Sequence, residues 1–341
     1  MQAALLLGPG QLSLQHLPTP TPATDEIVLK IAAALTCGTD LKAFLRGHPK
    51  WPMPTRFGHE YAGTVIARGS QVTTVHEGDE VMLVPTGPCG RCFYCHRQQE
   101  NLCTSLMETY VLGGYGEYLT VPARVIRTNL FAKPAALSFV AAALLEPLSC
   151  VMFGLGQLVL RPDDTVVVIG AGAIGLLQLM ALRALGIERV YVVARNPQRA
   201  AAAQQLGACG IIACSAEDAR EEVRAVTAGR GADIVIECTA QPRVWEAALC
   251  LVRPGGQVVL FGGCPAGTTA TFATYRLHYD QVRLLSPFHF TPAAVRRAYE
   301  LLVSRKIAAG SLINGSYPLA QLPYVFELLQ RGEGIKYAII P

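Results

Sequence analysis

One short glycine run constrains the fold more than any other feature of the chain. Gly170-Ala171-Gly172-Ala173-Ile174-Gly175 follows the β-branched stretch Val166–Ile169 and opens the apolar segment Gly175–Leu185. Glycines at G-x-G-x-x-G spacing, between a strand and a helix, suit a backbone that turns tightly, approaches a pyrophosphate and packs helix closely on strand. The N-terminus of such a helix presents free N–H groups to an anion. The expectation is a dinucleotide site with Gly170, Gly172, Ala173, Ile174 and Gly175 at the phosphates.

The flanking sequence extends this unit. Strands are expected at Val190–Val193, Gly210–Ile212, Asp233–Glu237 and Gln257–Phe261. Between them, helices are expected at Pro197–Leu206, Asp218–Thr227 and Arg243–Leu251. Strand and helix in regular alternation predict a doubly wound parallel sheet. The first ~145 residues instead show short β segments at Glu26–Ile31, Glu60–Ala67 and Glu80–Val84, with a turn-rich stretch over Gln71–Asp79. That is an all-β, barrel-like pattern. A further helix is expected at Pro292–Val303, followed by a short closing segment. A length of 341 residues accommodates about two domains.

Composition narrows the function classes. Hydrophobic residues make up 51% of the chain and charged ones 16%, which is enough for a large core and excludes intrinsic disorder. The net charge is +4 with the basic residues scattered, so no nucleic-acid or membrane-surface partner is expected. Mean hydropathy is +0.32, yet the longest apolar stretch, Val166–Leu182, contains Gly170, Gly172, Gly175 and Gln178 and reads as strand, turn and helix. The N-terminal residues lack a basic export signature, so a cytoplasmic location is expected. Eleven cysteines, an odd number in a chain this large, read as reduced thiols and not as a disulfide framework.

The strand after the glycine motif ends in Val193-Ala194-Arg195-Asn196. An acidic residue there would bond the adenosine 2′-hydroxyl of NAD. Ala194 leaves space instead, Arg195 offers a planar fork to a 2′-phosphate, and Arg199 lies one helical turn further on. NADP(H) is therefore expected in preference to NAD(H).

Cys89, Cys92, Cys95 and Cys103 form C-x2-C-x2-C-x7-C. Four thiolates this close can complete a tetrahedral shell around Zn²⁺. The x3-C-P ending of the bacterial iron–sulfur run is missing. A closed Cys₄ shell leaves no open position, so this zinc is read as structural. Further ligand types stand at Cys37, His59, Glu60 and Glu146, within Thr36-Cys37-Gly38-Thr39-Asp40, Gly58-His59-Glu60 and Glu146-Pro147-Leu148.

Taken together and in this order, these motifs resemble the zinc-dependent medium-chain dehydrogenases over essentially the whole chain. The Glu146-Pro147-Leu148 element places the resemblance closest to the sorbitol, polyol and threonine dehydrogenase branch. The resemblance implies a GroES-like β-barrel catalytic domain (residues 1–147), interrupted by a Rossmann coenzyme domain (148–285), with the chain returning to the catalytic domain over 286–341. It implies a catalytic zinc on Cys37 and His59 with Glu60 or Glu146, Thr39 as the hydroxyl that passes the substrate proton on, and Asp40 as the carboxylate that orients the histidine. An open zinc position polarises an alcohol, and hydride passes to the nicotinamide. Where many relatives carry a relay histidine, this chain has Lys42. Phe44, Trp51, Tyr115, Phe288 and His289 lie near segments that line the cleft in that family.

The expected function is hydride transfer between a secondary alcohol (a polyol, sugar or related hydroxy compound) and NADP(H), with two zinc ions per chain and a homodimeric or homotetrameric assembly. The alternatives are a zinc-independent quinone or enoyl reductase on the same fold and a non-catalytic nucleotide-binding protein. The intact ligand positions weigh against both.

Overall fold

The computed structural model describes residues 1–48 and 50–341. The chain divides into two compact units, Met1–Ser149 with Phe290–Pro341, and Cys150–His289.

The first unit opens with β1 (Gln2–Gly8) and β2 (Gln11–His16), an antiparallel pair, and then β3 (Ile27–Leu35). It continues through α1 (Gly38–Arg46), β4 (Thr55–Arg56), β5 (Tyr61–Arg68), β6 (Glu80–Leu83) and α2 (Phe93–His96). Next come β7 (Tyr118–Val121), α3 (Ala123–Asn129), β8 (Leu130–Ala132), α4 (Phe139–Ala142) and α5 (Leu145–Leu155).

The second unit runs β9 (Thr165–Ile169), α6 (Ala173–Ala184), β10 (Arg189–Val193), α7 (Pro197–Gln205), β11 (Gly210–Ile212) and α8 (Arg220–Val226). It ends with β12 (Ala232–Glu237), α9 (Pro242–Leu251), β13 (Val252–Leu260), α10 (Thr274–His278) and β14 (Arg283–Leu285). The chain then returns to the first unit through α11 (Pro292–Val303), β15 (Ile313–Pro318), α12 (Leu322–Gln330) and β16 (Lys336–Ile340).

The second unit is a parallel six-stranded sheet in the order β11-β10-β9-β12-β13-β14. Its central strand β9, Thr-Val-Val-Val-Ile, is buried at every position, as a strand covered on both faces must be. Strand order reverses beside β9, and in such sheets ligands bind at the carboxyl ends of the strands at that point.

In the first unit, β15-β16-β3-β5-β6-β8 form one sheet and β7 pairs with β3. Antiparallel pairing of β16 with β3, Ala338 opposite Leu35, brings the end of the chain next to the segment that carries Cys37. A core that includes Phe57, Tyr61, Tyr115, Phe326 and Ile339 fills this unit.

Two differences from the sequence reading stand out. The first ~145 residues are not purely β: they also contain α1, α2, α3 and α4. These helices are short, and Gly47, Gly90 and Pro122 stand at or near their ends, so their 3.6-residue period is weak. The segment after α11 is also more than a short closure, since it supplies two strands of the main sheet and α12.

Candidate active site

The chain places Cys37 at the N-cap of α1, where its sulfur accepts the N–H of Thr39 at 3.4 Å. One turn of helix then carries Thr39, half-buried, and Asp40, fully buried. An acidic residue in the first turn suits the partial positive charge of a helix N-terminus. Asp40 is held on both oxygens: His59 Nδ1–H donates to Oδ1 at 2.8 Å, and the Tyr115 hydroxyl donates to Oδ2 at 2.7 Å. Bonding through Nδ1 leaves Nε2 of His59 as the nitrogen available to a metal.

Glu60, adjacent to His59, is also fully buried. Its Oε2 accepts from Lys336 Nζ, which in turn bonds the carbonyl of Thr36 at 2.6 Å. Oε1 of Glu60 has no hydrogen-bond partner among the described residues. Donor atoms of Cys37, His59 and Glu60 lie within 4.8 Å of one another. Glu146, at the start of α5 and 6% exposed, falls outside that set.

The electrostatics favour a cation here. Burial raises Glu60 above the usual carboxylate range despite Lys336 and His59, and burial pushes Glu146 up to about 7 against the pull of His59. Burial disfavours the His59 imidazolium, but Asp40, Tyr110 and Cys37 outweigh it and hold the ring well above its usual value. Glu60, Glu146 and the Cys37 thiol thus act on one buried ammonium group, Lys336, while Asp40 is engaged by His59. A divalent cation would balance that charge and satisfy the orphaned oxygen of Glu60, so the donor set fits zinc.

Cys89, Cys92, Cys95 and Cys103 form the other cluster, again with donor atoms within 4.8 Å. Sulfurs about 2.3 Å from a shared tetrahedral zinc stand ~3.8 Å apart. The Cys92–Cys95 and Cys89–Cys95 separations are 3.6 and 3.9 Å, far beyond a disulfide bond. Backbone N–H groups aim at the sulfurs: that of Cys89 reaches Cys103 Sγ at 3.3 Å, and those of Cys95 and Thr104 bring the Cys92 thiol down to about 5. This cluster also fits a metal.

In the second unit a cavity of about 550 Å³ opens at the strand ends, lined in part by Gly170, Gly172, Ala194, Arg195 and Arg199. Gly170 adopts φ +100°, where a side chain would strain the turn, and its N–H bonds Val193 O at 2.9 Å. A Cβ on Gly175 would stand 1.8 Å from the carbonyl of Gly170, which is why helix α6 can pack so close to β9. At Gly172 a Cβ would meet no described atom within 4 Å, so this N-cap faces open space, and Ala173 and Ile174 begin the helix behind it. Arg195 is exposed, whereas Nε of Arg199 is buried without a partner among the described residues. A free helix N-terminus, an open approach and an orphaned guanidinium donor fit a phosphorylated dinucleotide.

Other sequence candidates are placed differently. Tyr115 is a buried support for Asp40 and Phe44 stacks on Phe326, so both belong to the packing of the first unit. Trp51 is 4% exposed, and its ring centroid is 4.3 Å from that of His48 and 5.8 Å from that of His59. Lys42 is exposed on α1, Phe288 is exposed in the second unit, and His289 takes a positive φ of +62°. Two residues of the candidate sites escaped the sequence reading. Lys336 carried a usable signal, a lone charge in the apolar run Ile335–Ile340, which demands a buried partner. Glu237, fully buried, accepts from the backbone of Thr239 and Ala240 and from Trp245 Nε1 at 3.0 Å, and so shapes the loop lining the cavity.

Known proteins place this arrangement. An alcohol dehydrogenase GroES-like domain model matches residues 23–129, and a zinc-binding dehydrogenase model matches 173–304. The chain is 32% identical to the zinc-type alcohol dehydrogenase-like protein YdjJ of Escherichia coli (strain K12), covering 79% of each chain. It is 29% identical to the sorbitol dehydrogenase of Bacillus subtilis (strain 168), over 100% of this chain and 97% of that one. A crystal structure of a zinc-binding dehydrogenase from Sinorhizobium meliloti 1021, bound to NADP, superposes with a TM-score of 0.90 at 29% identity, covering 100% and 99% of the two chains. The chain belongs to the zinc-dependent medium-chain dehydrogenases, in the branch of the polyol and threonine dehydrogenases. It is an oxidoreductase of the alcohol dehydrogenase type, with zinc, a nucleotide cofactor and a small alcohol substrate. Among the described residues, no helix is long and apolar enough to cross a membrane.

Proposed function

We propose that this enzyme transfers hydride between a secondary alcohol, of the polyol or sugar class, and NADP(H), and that it holds two zinc ions per chain. The observation that carries the reading is the buried cluster of Cys37, His59 and Glu60, with Glu60 Oε1 unpartnered beside it. Sorbitol, D-altritol and L-galactonate dehydrogenases among the relatives support the substrate class. The NADP bound in the Sinorhizobium meliloti structure supports the cofactor, together with Ala194, Arg195 and the orphaned Arg199 Nε.

In this reading Cys37 and His59, with Glu60 or Glu146, hold the catalytic zinc, and Cys89, Cys92, Cys95 and Cys103 hold the structural one. Bound zinc supplies Lewis acidity toward the alcohol oxygen, and bound NADP⁺ supplies the hydride acceptor. The chain's own groups do the rest. Asp40 fixes the tautomer and orientation of His59 and is itself fixed by Tyr115. Lys336 engages one oxygen of Glu60 and leaves the other free. Thr39 carries the hydroxyl through which the substrate proton leaves. Gly170, Gly172 and Gly175 shape the turn, and Ala173 and Ile174 present helix N–H groups to the pyrophosphate. The assembly expected with this reading is a homodimer or homotetramer, which sedimentation reads directly.

The test is a screen of polyols, sugars and amino alcohols, followed by the absorbance of reduced nicotinamide with NADP and with NAD, on protein whose zinc content is measured. Turnover of a polyol or sugar with NADP, at two zinc per chain, is the expected result. Turnover confined to other alcohols, or a preference for NAD, overturns the corresponding part of the reading.

A further inference from the structure

The nucleotide cavity carries a third arginine that the glycine motif and the Ala194-Arg195 pair do not account for. Arg243 is the second residue of α9, and its Nε lies 3.2 Å from Glu217 Oε1. Both residues line the cavity, and among the described lining residues Glu217 is the one carboxylate. The two come from opposite flanks. Glu217 follows β11 and Arg243 follows β12, and the strand order β11-β10-β9-β12 puts two strands between them. Three neighbour spacings of about 4.8 Å separate those strands by roughly 14 Å. An ion pair at 3.2 Å between segments that far apart at their roots must arch across the ends of β10 and β9, where Arg195 and the glycine turn lie.

Local stability does not explain Arg243. A cation in the first turn of a helix opposes the helix dipole, and α9 has no acidic residue there to offset it. The side chain is 63% exposed and its partner 36%, so the pair is weak and readily exchanged. Gln241 Oε1 also accepts from the guanidinium, at 3.2 and 3.3 Å, and holds it over the same loop.

We propose that the Glu217–Arg243 pair is a strap across the adenosine end of the cavity, and that a 2′-phosphate takes Arg243 from Glu217 on binding. Arg243 is then a specificity-determining residue for 2′-phosphorylated nucleotides, acting with Arg195 and Arg199, and Glu217 is its exchangeable latch. The inference rests on the reading that the cavity takes NADP.

Isothermal titration calorimetry of the full chain with adenosine 2′,5′-bisphosphate and with adenosine 5′-monophosphate tests it without recourse to turnover. The two ligands differ only in the 2′-phosphate. Arg243→Gln is expected to weaken the bisphosphate roughly tenfold while leaving the monophosphate within about twofold. Glu217→Gln is expected to tighten the bisphosphate by about 2–5-fold, the worth of an exposed ion pair, and to leave the monophosphate unchanged. The double variant should behave as Arg243→Gln alone, because Glu217 acts through Arg243. If the gain from Glu217→Gln persists in the double variant, Glu217 acts by its own charge and the exchange is overturned. A bisphosphate preference that Arg243→Gln leaves intact keeps the NADP reading and overturns the strap. Equal wild-type affinity for both ligands overturns the NADP reading and, with it, the exchange at Arg243.

Discussion

The two ligand clusters of the first unit are built in opposite ways. The four cysteines come from one loop spanning Cys89–Cys103, and neighbouring backbone N–H groups serve their sulfurs. Cys37, His59 and Glu60 come from a helix cap and a segment just before β5, and they depend on Asp40, Tyr115 and Lys336 for orientation and charge. The Lys336–Glu60 contact joins residues 276 apart in sequence. A cluster that is local in sequence can stabilise its own loop and little else. A cluster that gathers distant segments into a buried, anionic pocket is costly to assemble, and such a pocket is where reactivity is expected.

Removing one ligand from each cluster should separate these roles. Cys37→Ala is expected to abolish turnover and lower the zinc content by one equivalent while leaving the melting temperature close to wild type. Steady-state kinetics, elemental analysis and a thermal melt read all three quantities. Near-normal activity in this variant would remove Cys37 from the catalytic site. Cys95→Ala should show the converse pattern. Opening a structural thiolate shell releases its metal. A loss of about 3 kcal/mol would lower the melting temperature by roughly 6–12 °C. Activity per folded molecule should survive at low temperature, and an unchanged melting point would mean that this loop does not depend on a metal.

The same contrast explains what the sequence makes legible. A Cys₄ spacing and a glycine motif are local, so residue type and interval nearly determine the geometry: the four sulfurs cluster, and, separately, Gly170 and Gly175 form the tight strand-to-helix turn. The alternating strands and helices that the sequence predicts in the second unit are equally local and differ from expectation by a few residues at their ends, whereas α10 and the edge strand β14 lie outside that expectation. Long-range partners are not legible in this way. Nothing near Glu60 announces Lys336, and nothing near Glu217 announces Arg243, because sheet pairing and strand order create both contacts. Tyr115 reads from its sequence position as a cleft residue, yet it is buried against Asp40, since its hydroxyl has a carboxylate to reach. The short helices of the first unit escape for another reason, as a stretch of nine residues or fewer shows too little period to compete with flanking glycine and proline.

A smaller effect sharpens the catalytic half of the comparison. Thr39→Val keeps the shape of the side chain and removes the hydroxyl next to the Cys37 cap. A kcat loss of roughly 10²-fold is expected, the scale of a proton-transfer element. Thr39→Ser should restore most of it, and zinc content and melting temperature should not move. Full activity in the valine variant would show that the proton leaves by another route.

The nucleotide cavity is intermediate in kind, since its glycine turn is local while its lining comes from the ends of four strands. The remaining question is how much of cofactor choice the local part sets. Ala194 is buried at the end of β10 and Arg195 is exposed directly after it, with no carboxylate at either position. A charge-assisted contact of Arg195 with a 2′-phosphate is worth about 1.5–3 kcal/mol, which corresponds to a ~10–100-fold preference for NADP. Ala194→Asp with Arg195→Leu removes the attraction and adds repulsion, so kcat/KM should invert in favour of NAD. Arg199 and Arg243 remain in that variant, and together they should hold back part of the inversion. Complete inversion would assign cofactor choice to two adjacent residues and make the cavity resemble the cysteine loop. An incomplete one would place it with the Cys37 cluster, where segments distant in sequence decide the chemistry jointly.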